Sequence, residues 1–397
     1  MKVVIIIPTY NEKGNIERII PITEEVFKRI KNYEMAILVA DDNSPDGTTE
    51  KVIELAKKYG NIELSSGPRY GLGAAYVRGM TYAIEKMGAD IVFEMDADLQ
   101  HDPEKIPEFL AKMEEGYSMV IGTRYSEGGS IPAAWPIPRK IFSIFGNLLI
   151  RTIMMRFWLH DWTGGFRALR KEVFLKEKDE LTEFKGYTFQ VSFLHKVIRD
   201  GFKIGEVPFH FGERNIGDSK IAPMSYIANL LRYVIIARII ELKRIIKFLI
   251  VGGTGFLVQV LTQEIFARAI FTSLETESIR DGLSAGFGAE AAILSNFMFN
   301  NFWTFKDTKK IKENSTFFVR LIKFNLASFM SIAIQSLSVY VFVNLLGENL
   351  HIFDFTIKTR LAVLIPTIIF LVVPLNYLIY NRIIWKTQYL KNESSNK

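Results

Sequence analysis

Two carboxylates and an amide follow the apolar segment 91–95 at alternate positions, as Asp96, Asp98 and Gln100. An irregular turn after a strand can direct all three side chains to one point. Converging carboxylates repel each other unless a cation lies between them or one is protonated. Hard divalent ions that keep waters and substrate phosphates bind one or two carboxylates, and Gln100 adds a neutral oxygen. We therefore predict a divalent metal site; the alternative is a solvated turn in which Asp-x-Asp occurs by chance.

Two earlier apolar runs also end in polar residues, in "PTYNE" (8–12) and "ADDNSPDGT" (40–48). In the first, Tyr10 can stack on a base while Glu12 holds a donor on its edge, although Glu12 can equally begin a helix. In the second, a carboxylate of Asp41 or Asp42 can accept hydrogen bonds from a base or a ribose hydroxyl, as acids after the second strand do in nucleotide folds. The rest of the second segment is typical of a turn that caps the next helix.

Strand-like and helix-like segments alternate up to about residue 220. The strand-like runs are 3–7, 36–39, 62–64, 91–95 and 119–121, and the helix-like stretches are 15–32, 49–59, 72–87 and 103–115. This alternation predicts an α/β domain with a mainly parallel, Rossmann-like sheet. Because parallel strands place their ligand sites at their carboxyl ends, the three polar segments should share one edge.

The composition excludes several chemistries. The 397 residues include no cysteine, which rules out disulfides, cysteine-ligated zinc and a thiol nucleophile. No dinucleotide fingerprint or P-loop occurs. Phosphatases with an aspartate nucleophile usually carry Thr or Val where Gln100 stands. The net charge of +6 is compatible with nucleic acid, anionic lipid headgroups or phosphate-bearing substrates.

The chain changes character after residue 245. Four long apolar segments follow, at 246–271, 283–302, 324–346 and 361–380. Each has the ~20 residues that a helix needs to cross a bilayer. Buried helices in a large soluble core are the alternative. We predict an all-α membrane domain of four transmembrane helices over 246–386, followed by a polar tail over 387–397.

Basic residues flank these segments unevenly. Lys and Arg cluster before the first span, between the second and third, and after the fourth, whereas the first loop carries Glu275, Glu277 and Asp281. Cytoplasmic loops are the ones enriched in Lys and Arg. Both termini and the α/β domain are therefore expected in the cytoplasm.

The membrane half repeats itself. "KFLIVGG" (247–253) opens the first pair of spans as "KFNLASF" (323–329) opens the second. "NFMFNNFWTFK" (296–306) closes the first pair as "NYLIYNRIIWK" (376–386) closes the second. Two repeated two-helix hairpins are the simplest interpretation, and their Asn side chains more often hydrogen-bond a neighbouring helix than a substrate.

Two other apolar segments, 141–159 and 225–245, contain arginines that the bilayer centre disfavours. Arg151 in the first would cost about 2.5–3.5 kcal/mol there on insertion scales. We predict amphipathic interfacial helices for both, the second within a region spanning 221–245. A core helix is the alternative for the first.

Taken together, the motifs of the first half resemble those of a known enzyme family. "PTYNE", "DDNSPDGT", "RYGLGAAYVRG" and "MDADLQHDP", in this order and spacing, resemble the family 2 glycosyltransferases of GT-A fold. "GTRYSEGG", "DWTGGFRAL", "GYTFQ" and "ERNIGDSK" narrow it to the dolichyl-phosphate mannose synthases of that family. This resemblance covers residues 1–220, and the membrane half resembles the four-helix GtrA-type domain.

The resemblance implies a role for each matching residue. The residues implied to contact the nucleotide sugar are Pro8, Tyr10, Glu12, Ala40, Asp42, Asp96, Ala97, Asp98 and Arg124. The resemblance implies that Asp96, Asp98 and Gln100 bind the metal, Mg²⁺ or Mn²⁺. It implies that Arg124, Arg214 and Lys220 bind the phosphates of donor and acceptor. The catalytic residues that it implies are Asp96, Asp98 and Arg124. The three basic residues stand in loops, which suits phosphate capture, and plain surface charge is the alternative.

One departure from the broader family concerns the mechanism. Many of these transferases carry a Glu-Asp pair that supplies a base for a sugar hydroxyl. Here only Asp161 stands at that place, with no acid before it. A lipid phosphate is already anionic at neutral pH, so such an acceptor requires no general base.

The resemblance thus implies an inverting transfer of mannose from GDP-mannose to a polyprenyl (dolichyl) phosphate at a membrane, with no nucleic acid polymer as partner. A glucosyltransferase that uses UDP-glucose on the same lipid is the alternative. Two other classes stay open. A lipid-linked-sugar flippase would form no product, and a polysaccharide synthase would be expected to show a Gln-x-x-Arg-Trp motif and more spans.

Overall fold

A computed structural model describes residues 1–181, 187–213, 224–273, 277–306, 317–352 and 355–385. It separates into two compact units, Met1–Arg238 and Ile239–Lys397.

A seven-stranded sheet forms the centre of the first unit. Its strands are β1 (Lys2–Thr9), β2 (Glu34–Asp41), β3 (Ile62–Ser66), β4 (Ile91–Glu94), β5 (Met119–Thr123), β6 (Arg167–Arg170) and β7 (Ile204–Pro208). Their order is β3-β2-β1-β4-β6-β5-β7, and only β6 runs antiparallel to its neighbours. The predicted mainly parallel α/β fold is confirmed. Because β1, β2 and β4 are parallel, their polar ends lie at one edge of the sheet.

Helices cover both faces of this sheet. They are α1 (Lys13–Phe27), α2 (Thr48–Tyr59), α3 (Leu72–Glu85), α4 (Ile106–Glu114), α5 (Ile137–Met154), α6 (Lys171–Leu181) and α7 (Tyr187–Arg199). Alternate residues of β1 enter two separate cores: Val4 and Ile6 pack with residues of α3 and α7, whereas Val3 and Ile5 pack with residues of α1, α2 and α4. Burial on both faces explains why β1 is apolar without alternation.

The helix α5 lies on the surface of the first unit. Only Asn147, Ile150 and Met154 are buried. Phe142 and Phe145 are more than half exposed, and several leucines and isoleucines beside them are exposed as well. A core helix, one of the two interpretations of segment 141–159, is therefore excluded, and the amphipathic interpretation fits the burial pattern.

The second unit is mainly helical. Its helices are α8 (Met224–Ile265, which begins in the first unit), α9 (Glu277–Phe299), α10 (Phe317–Leu346), α11 (Thr359–Pro366) and α12 (Val373–Ile379), with a small hairpin of β8 (Asn349–Ile352) and β9 (Phe355–Lys358). Short π-helical turns follow α8, α9, α11 and α12. The helix α8 passes residue 245 without interruption, so no helix end marks the predicted boundary there.

Three stretches of the described residues are long and apolar enough to cross a membrane: Ile227–Ile270, Phe317–Leu346 and Ala362–Ile384. They match the first, third and fourth predicted spans. The second predicted span, 283–302, falls on α9 and the π turn after it. Its 23-residue helix is long enough to cross, but Gly, Ser, Asn and Glu290 make it less apolar.

Contacts between the two hairpins occur in pairs that the sequence repeat relates. Phe248 contacts Tyr377 at 5.5 Å between ring centroids, and their counterparts Phe324 and Phe297 contact each other at 5.6 Å. Phe305 and Trp385, which occupy the same place in the two repeats, stack at 4.5 Å with an interplanar angle of 5°. In each pair, one residue belongs to the first hairpin and the other to the second. We infer a pseudo-twofold relation between the hairpins.

Close packing inside the first hairpin gives a prediction. A Cβ added to Gly255 would overlap the side-chain amide of Asn296, whereas one added to Gly253 would meet nothing within 4 Å. At the corresponding place in the second hairpin, Ser331 donates a hydrogen bond to Asn376 Oδ1 over 2.9 Å. We expect Gly255→Ala to lower the free energy of unfolding by about 1–3 kcal/mol through overpacking.

The measurement is the melting temperature of the detergent-solubilised protein, with Gly253→Ala as the matched control on the same helix. Adding Asn296→Ala to Gly255→Ala should restore most of the loss, because it removes the atoms that the new methyl group meets. Equal melting temperatures for the two single variants would contradict this packing.

Candidate active site

A tight turn follows β4 and carries the predicted metal ligands. Asp98 Oδ1 accepts a hydrogen bond from the Gln100 backbone N–H over 3.1 Å, and Leu99 between them has φ +63°. Left-handed backbone is uncommon for a branched residue and is found where surrounding contacts enforce it. Here Gln100 Nε2 donates to the Gly212 carbonyl, and the Gly212 N–H donates to the Gln100 carbonyl, each over 3.0 Å. The turn is therefore fixed on both sides.

Tyr76 and His101 hold Asp96. The Tyr76 hydroxyl donates to Asp96 Oδ1 over 2.9 Å, and His101 Nδ1 accepts the Asp96 backbone N–H over 3.0 Å. Burial lowers the pKa of His101 although Asp96 and Asp98 oppose that effect. A neutral imidazole that accepts at Nδ1 carries its proton on Nε2, which lies 3.9 Å from Asp96 Oδ2. Sequence reasoning missed both residues as supports of the site.

The Tyr76 hydroxyl can be tested in isolation. Because hydrogen bonds to charged groups are worth about 1.5–3 kcal/mol, we expect Tyr76→Phe to raise the apparent dissociation constant of the activating metal about 10- to 100-fold. The matched control is Tyr82→Phe on the same helix, whose hydroxyl donates to the exposed Glu63. Metal titrations of turnover check this, and equal metal constants for the two variants would contradict the role of Tyr76.

The donor set at this turn fits a hard divalent ion. Asp96 is partly exposed, whereas Asp98 and Gln100 are buried with relative exposures of 5% and 6%. Within the described ranges, no three His, Cys, Asp or Glu side chains are grouped as a metal site. Two carboxylates and an amide oxygen leave coordination positions for phosphate oxygens and water, the pattern that Mg²⁺ prefers.

The two acids after β2 differ in role. Asp41 is fully buried and accepts hydrogen bonds from Thr9 Oγ1 over 2.8 Å and from Ser44 N and Oγ, which makes it a structural residue. Asp42, the predicted nucleotide contact, instead accepts a hydrogen bond from Arg78 Nη2 over 2.8 Å. Arg78 belongs to α3, more than thirty residues along the chain, and no motif in the sequence indicated this pair.

The remaining residues predicted to contact a nucleotide sugar lie around these strand ends. Pro8 is half-buried at the end of β1, while Ala40 and Ala97 are buried, so contacts at the two alanines would involve mainly their backbone. Glu12 directly precedes α1, and its Oε2 accepts a hydrogen bond from Asn15 Nδ2 over 2.5 Å. The interpretation of Glu12 as a helix-start residue therefore has a structural basis.

Tyr10 lies just beyond β1, and its ring is covered by an arginine. The Arg69 guanidinium stands 3.7 Å from the ring centroid. Tyr10 is partly buried and Arg69 is exposed. An aromatic ring and a guanidinium therefore share the end of the sheet where the sequence predicts a base.

Arg124 is buried against Asp161. Its Nε and Nη2 donate to the two carboxylate oxygens over 2.7 and 2.9 Å, and its backbone N–H also donates to Oδ2. Burial by itself raises the pKa of Asp161, but the Arg124 charge and backbone N–H donors outweigh burial and lower it. Asp161 is thus a fixed carboxylate that orients Arg124, and its hydrogen bonds oppose a role as general base.

A second buried pair lies inside the sheet. Glu94 of β4 and Arg167 of β6 are directly opposite each other and fully buried, with Arg167 Nε 4.0 Å from Glu94 Oε2. Burial raises the pKa of Glu94 to about 7. Arg167 also donates to the carbonyls of Gly164 and Gln190, which ties the loop that contains Asp161 to α7.

Two predicted phosphate-binding residues, Arg214 and Lys220, lie outside the described residues. Gly212, which hydrogen-bonds to the turn at Gln100, stands two positions before Arg214 in the sequence.

Comparisons with known proteins agree with both halves of the chain. Residues 4–176 match the family described as Glycosyl transferase family 2, and residues 247–385 match the GtrA/DPMS transmembrane domain. The chain is 37% identical over 360 residues to a dolichol-phosphate mannosyltransferase of Pyrococcus furiosus, covering 87% of this chain and 92% of that protein.

Two other relatives match just over half of the chain. A polyprenol monophosphomannose synthase of Mycolicibacterium smegmatis is 35% identical, covering 56% of this chain and 81% of that protein. An undecaprenyl-phosphate mannosyltransferase of Micrococcus luteus is 38% identical, covering 56% and 88%. Among solved structures, glucosyl-3-phosphoglycerate synthase of Mycobacterium tuberculosis is similar with a TM-score of 0.43 and 17% identity, over 60% of this chain and 78% of that one.

The long alignment to the Pyrococcus protein and the two domain matches establish the family. The chain belongs to glycosyltransferase family 2, as an integral membrane enzyme whose GT-A-like domain is joined to a GtrA/DPMS transmembrane domain.

Proposed function

We propose that the protein transfers mannose from GDP-mannose to a polyprenyl (dolichyl) phosphate, with inversion and with a divalent metal. The observation that carries this proposal is the long similarity to the Pyrococcus enzyme, because it extends through both halves of the chain. The names of the two shorter relatives also combine a mannosyl product or activity with a polyprenol lipid.

The fixed turn after β4 suits the leaving group. Asp96, Asp98 and Gln100 would hold Mg²⁺ or Mn²⁺, which when bound would offset the charge that develops on the departing GDP. Arg124, oriented by Asp161, would add a preorganised cation beside the phosphates. Pro8, Tyr10, Glu12, Ala40, Asp42 and Ala97 would contact the nucleotide sugar.

The acceptor phosphate would bind through Arg124, Arg214 and Lys220. One of its oxygens attacks the anomeric carbon from the face opposite GDP; the bond from that carbon to the GDP oxygen breaks as the new carbon–oxygen bond forms. No proton has to leave the acceptor, because the phosphate is already an anion. The fixed carboxylate of Asp161 agrees with a mechanism that lacks a general base.

The same proposal includes the placement of the chain. We propose a catalytic domain over 1–220, an interfacial region over 221–245, four transmembrane helices within 246–386 and a polar tail over 387–397, with both ends cytoplasmic. The exposed apolar face of α5 would lie in the lipid headgroup region, with Arg139 and Lys140 near its start. An acceptor whose phosphate lies at the membrane surface would then reach a cytoplasmic site.

One assay tests the activity. Purified full-length protein is offered labelled GDP-mannose, UDP-glucose or UDP-GlcNAc with polyprenyl phosphate and Mg²⁺ or Mn²⁺, and label is counted in the organic extract. We expect label from GDP-mannose alone, and release of the sugar by a β-mannosidase but not by an α-mannosidase. Label from UDP-glucose alone would replace the proposal with the glucosyltransferase, and no label from any donor would favour a flippase.

A further inference from the structure

The loop after β3 brings an unassigned cation to the nucleotide end of the sheet. β3 is the neighbour of β2, and β2 is the neighbour of β1. The Gly67 N–H donates to the Asp41 carbonyl over 3.0 Å, which fixes the start of this loop against the end of β2. Two residues later, Arg69 places its guanidinium 3.7 Å from the centroid of the Tyr10 ring.

Arg69 has no strong structural reason to hold this position. Its side chain is exposed, and a cation–π contact at an exposed site is weak, so the guanidinium can be displaced by a ligand. A base that stacks on Tyr10 would occupy the space next to the ring. The N–H groups of the Arg69 guanidinium, which point in parallel like a fork, would then contact either the edge or the outer face of that base.

The chemistry of the fork distinguishes the bases. Guanine presents two acceptors, O6 and N7, side by side, and a guanidinium donates to both at once. Adenine replaces O6 by an amino donor, which opposes the guanidinium. Uracil lacks the imidazole ring that supplies N7, so it offers no equivalent pair of acceptors on that edge.

We infer that Arg69 is a specificity-determining residue that reads the guanine edge of the donor nucleotide while Tyr10 stacks on its face. This inference deepens the proposed function and rests on it, because it concerns which nucleotide the same site selects. It also gives a role to Arg69, the first residue of the "RYGLGAAYVRG" motif, to which the resemblance assigned none.

The experiment measures dissociation constants of GDP, UDP and ADP by calorimetry on the full-length protein in detergent with Mn²⁺. Arg69→Met removes the charge at similar length, and Arg69→Lys keeps the charge without the fork. Since a bidentate arginine–guanine pair discriminates by about 1–3 kcal/mol, we expect both variants to weaken GDP about 10- to 100-fold. The constant for UDP should change less than about 3-fold. The control is Arg29→Met, an exposed arginine paired with Glu104.

The outcomes separate the inference from the proposed function. If the unaltered protein prefers GDP but Arg69→Met binds it equally well, the inference is wrong and the proposed donor stands. Equal losses for GDP and UDP also overturn it, because Arg69 would then support the loop or the phosphates. If Arg69→Lys retains full GDP affinity, charge alone suffices and the bidentate contact is wrong. If the unaltered protein prefers UDP, the proposed function itself fails.

Discussion

Asp98→Asn is expected to reduce kcat/KM for transfer by about 10³-fold, which corresponds to roughly 4 kcal/mol of lost transition-state stabilisation. Asparagine keeps an oxygen that can accept the Gln100 N–H, so the left-handed turn at Leu99 can persist. What is lost is the negative charge that would attract a divalent ion. The defect therefore belongs to metal and diphosphate binding rather than to folding.

Two measurements make this result specific. Metal-dependent binding of GDP should weaken in Asp98→Asn while the melting temperature without metal stays near that of the unaltered protein. The control is Asp102→Asn, four residues along, whose Oδ1 accepts the Glu104 N–H at the start of a 3-10 turn, Pro103–Lys105. Turnover of Asp98→Asn within about 3-fold of this control would refute the metal assignment.

Asp161→Ala is expected to lower the free energy of unfolding by about 3–5 kcal/mol, because it leaves the Arg124 charge buried without its partner. Arg124 has 9% of its surface exposed and Asp161 none. The measurement is a denaturant or thermal unfolding curve in detergent. The double variant Arg124→Met/Asp161→Leu should recover part of this stability, since neither charge remains but three backbone N–H groups still lose their acceptor. It should stay inactive if Arg124 contacts the phosphates.

The pH dependence follows from the same pair. The folded state lowers the pKa of Asp161, so its stabilisation is present above the unfolded-state pKa and is lost as pH falls through the lower folded-state value. The unaltered protein should therefore lose stability below about pH 4 through this group, and the double variant should lose less. A double variant as unstable as Asp161→Ala would show that the loss comes from the backbone N–H groups left without an acceptor, or from packing, rather than from the unpaired charge.

The sequence predicted the elements whose signals are local. Val3–Ile7 is an unbroken apolar run because helices cover both faces of the sheet, and the strand at 36–39 is recognisable for the same reason. The edge strand at 62–64 instead alternates, with Ile62 buried and Glu63 exposed. The strand β6 was missed: it is four residues long, Arg167–Arg170, and arginine stands at both ends. Its Arg167 is tolerated inside the sheet only because Glu94 and two backbone carbonyls surround it.

The residues of the candidate site divide in the same way, into those that a local motif predicts and those that it does not. The turn that carries the predicted metal ligands was recognisable because Asp96, Asp98 and Gln100 stand at alternate positions within five residues. The residues that orient the site come from distant segments: Tyr76 meets Asp96 across twenty residues, and Asp161 meets Arg124 across thirty-seven. Such pairs depend on the three-dimensional path of the chain, which no spacing rule in one sequence conveys.

The stacked rings of Phe305 and Trp385 have a consequence for the order of membrane insertion and packing during synthesis. Phe305 stands at the end of the first hairpin and Trp385 at the end of the second. Phe297 of the first hairpin packs against Phe324 of the second. If both hairpins span the bilayer as proposed, the first one leaves the ribosome and enters the bilayer before its aromatic partners exist. Until then lipid tails must surround those rings, and the finished arrangement forms only when the second hairpin displaces them. Insertion and final packing are therefore separate events, and a chain truncated after the first hairpin should insert without acquiring the mature fold.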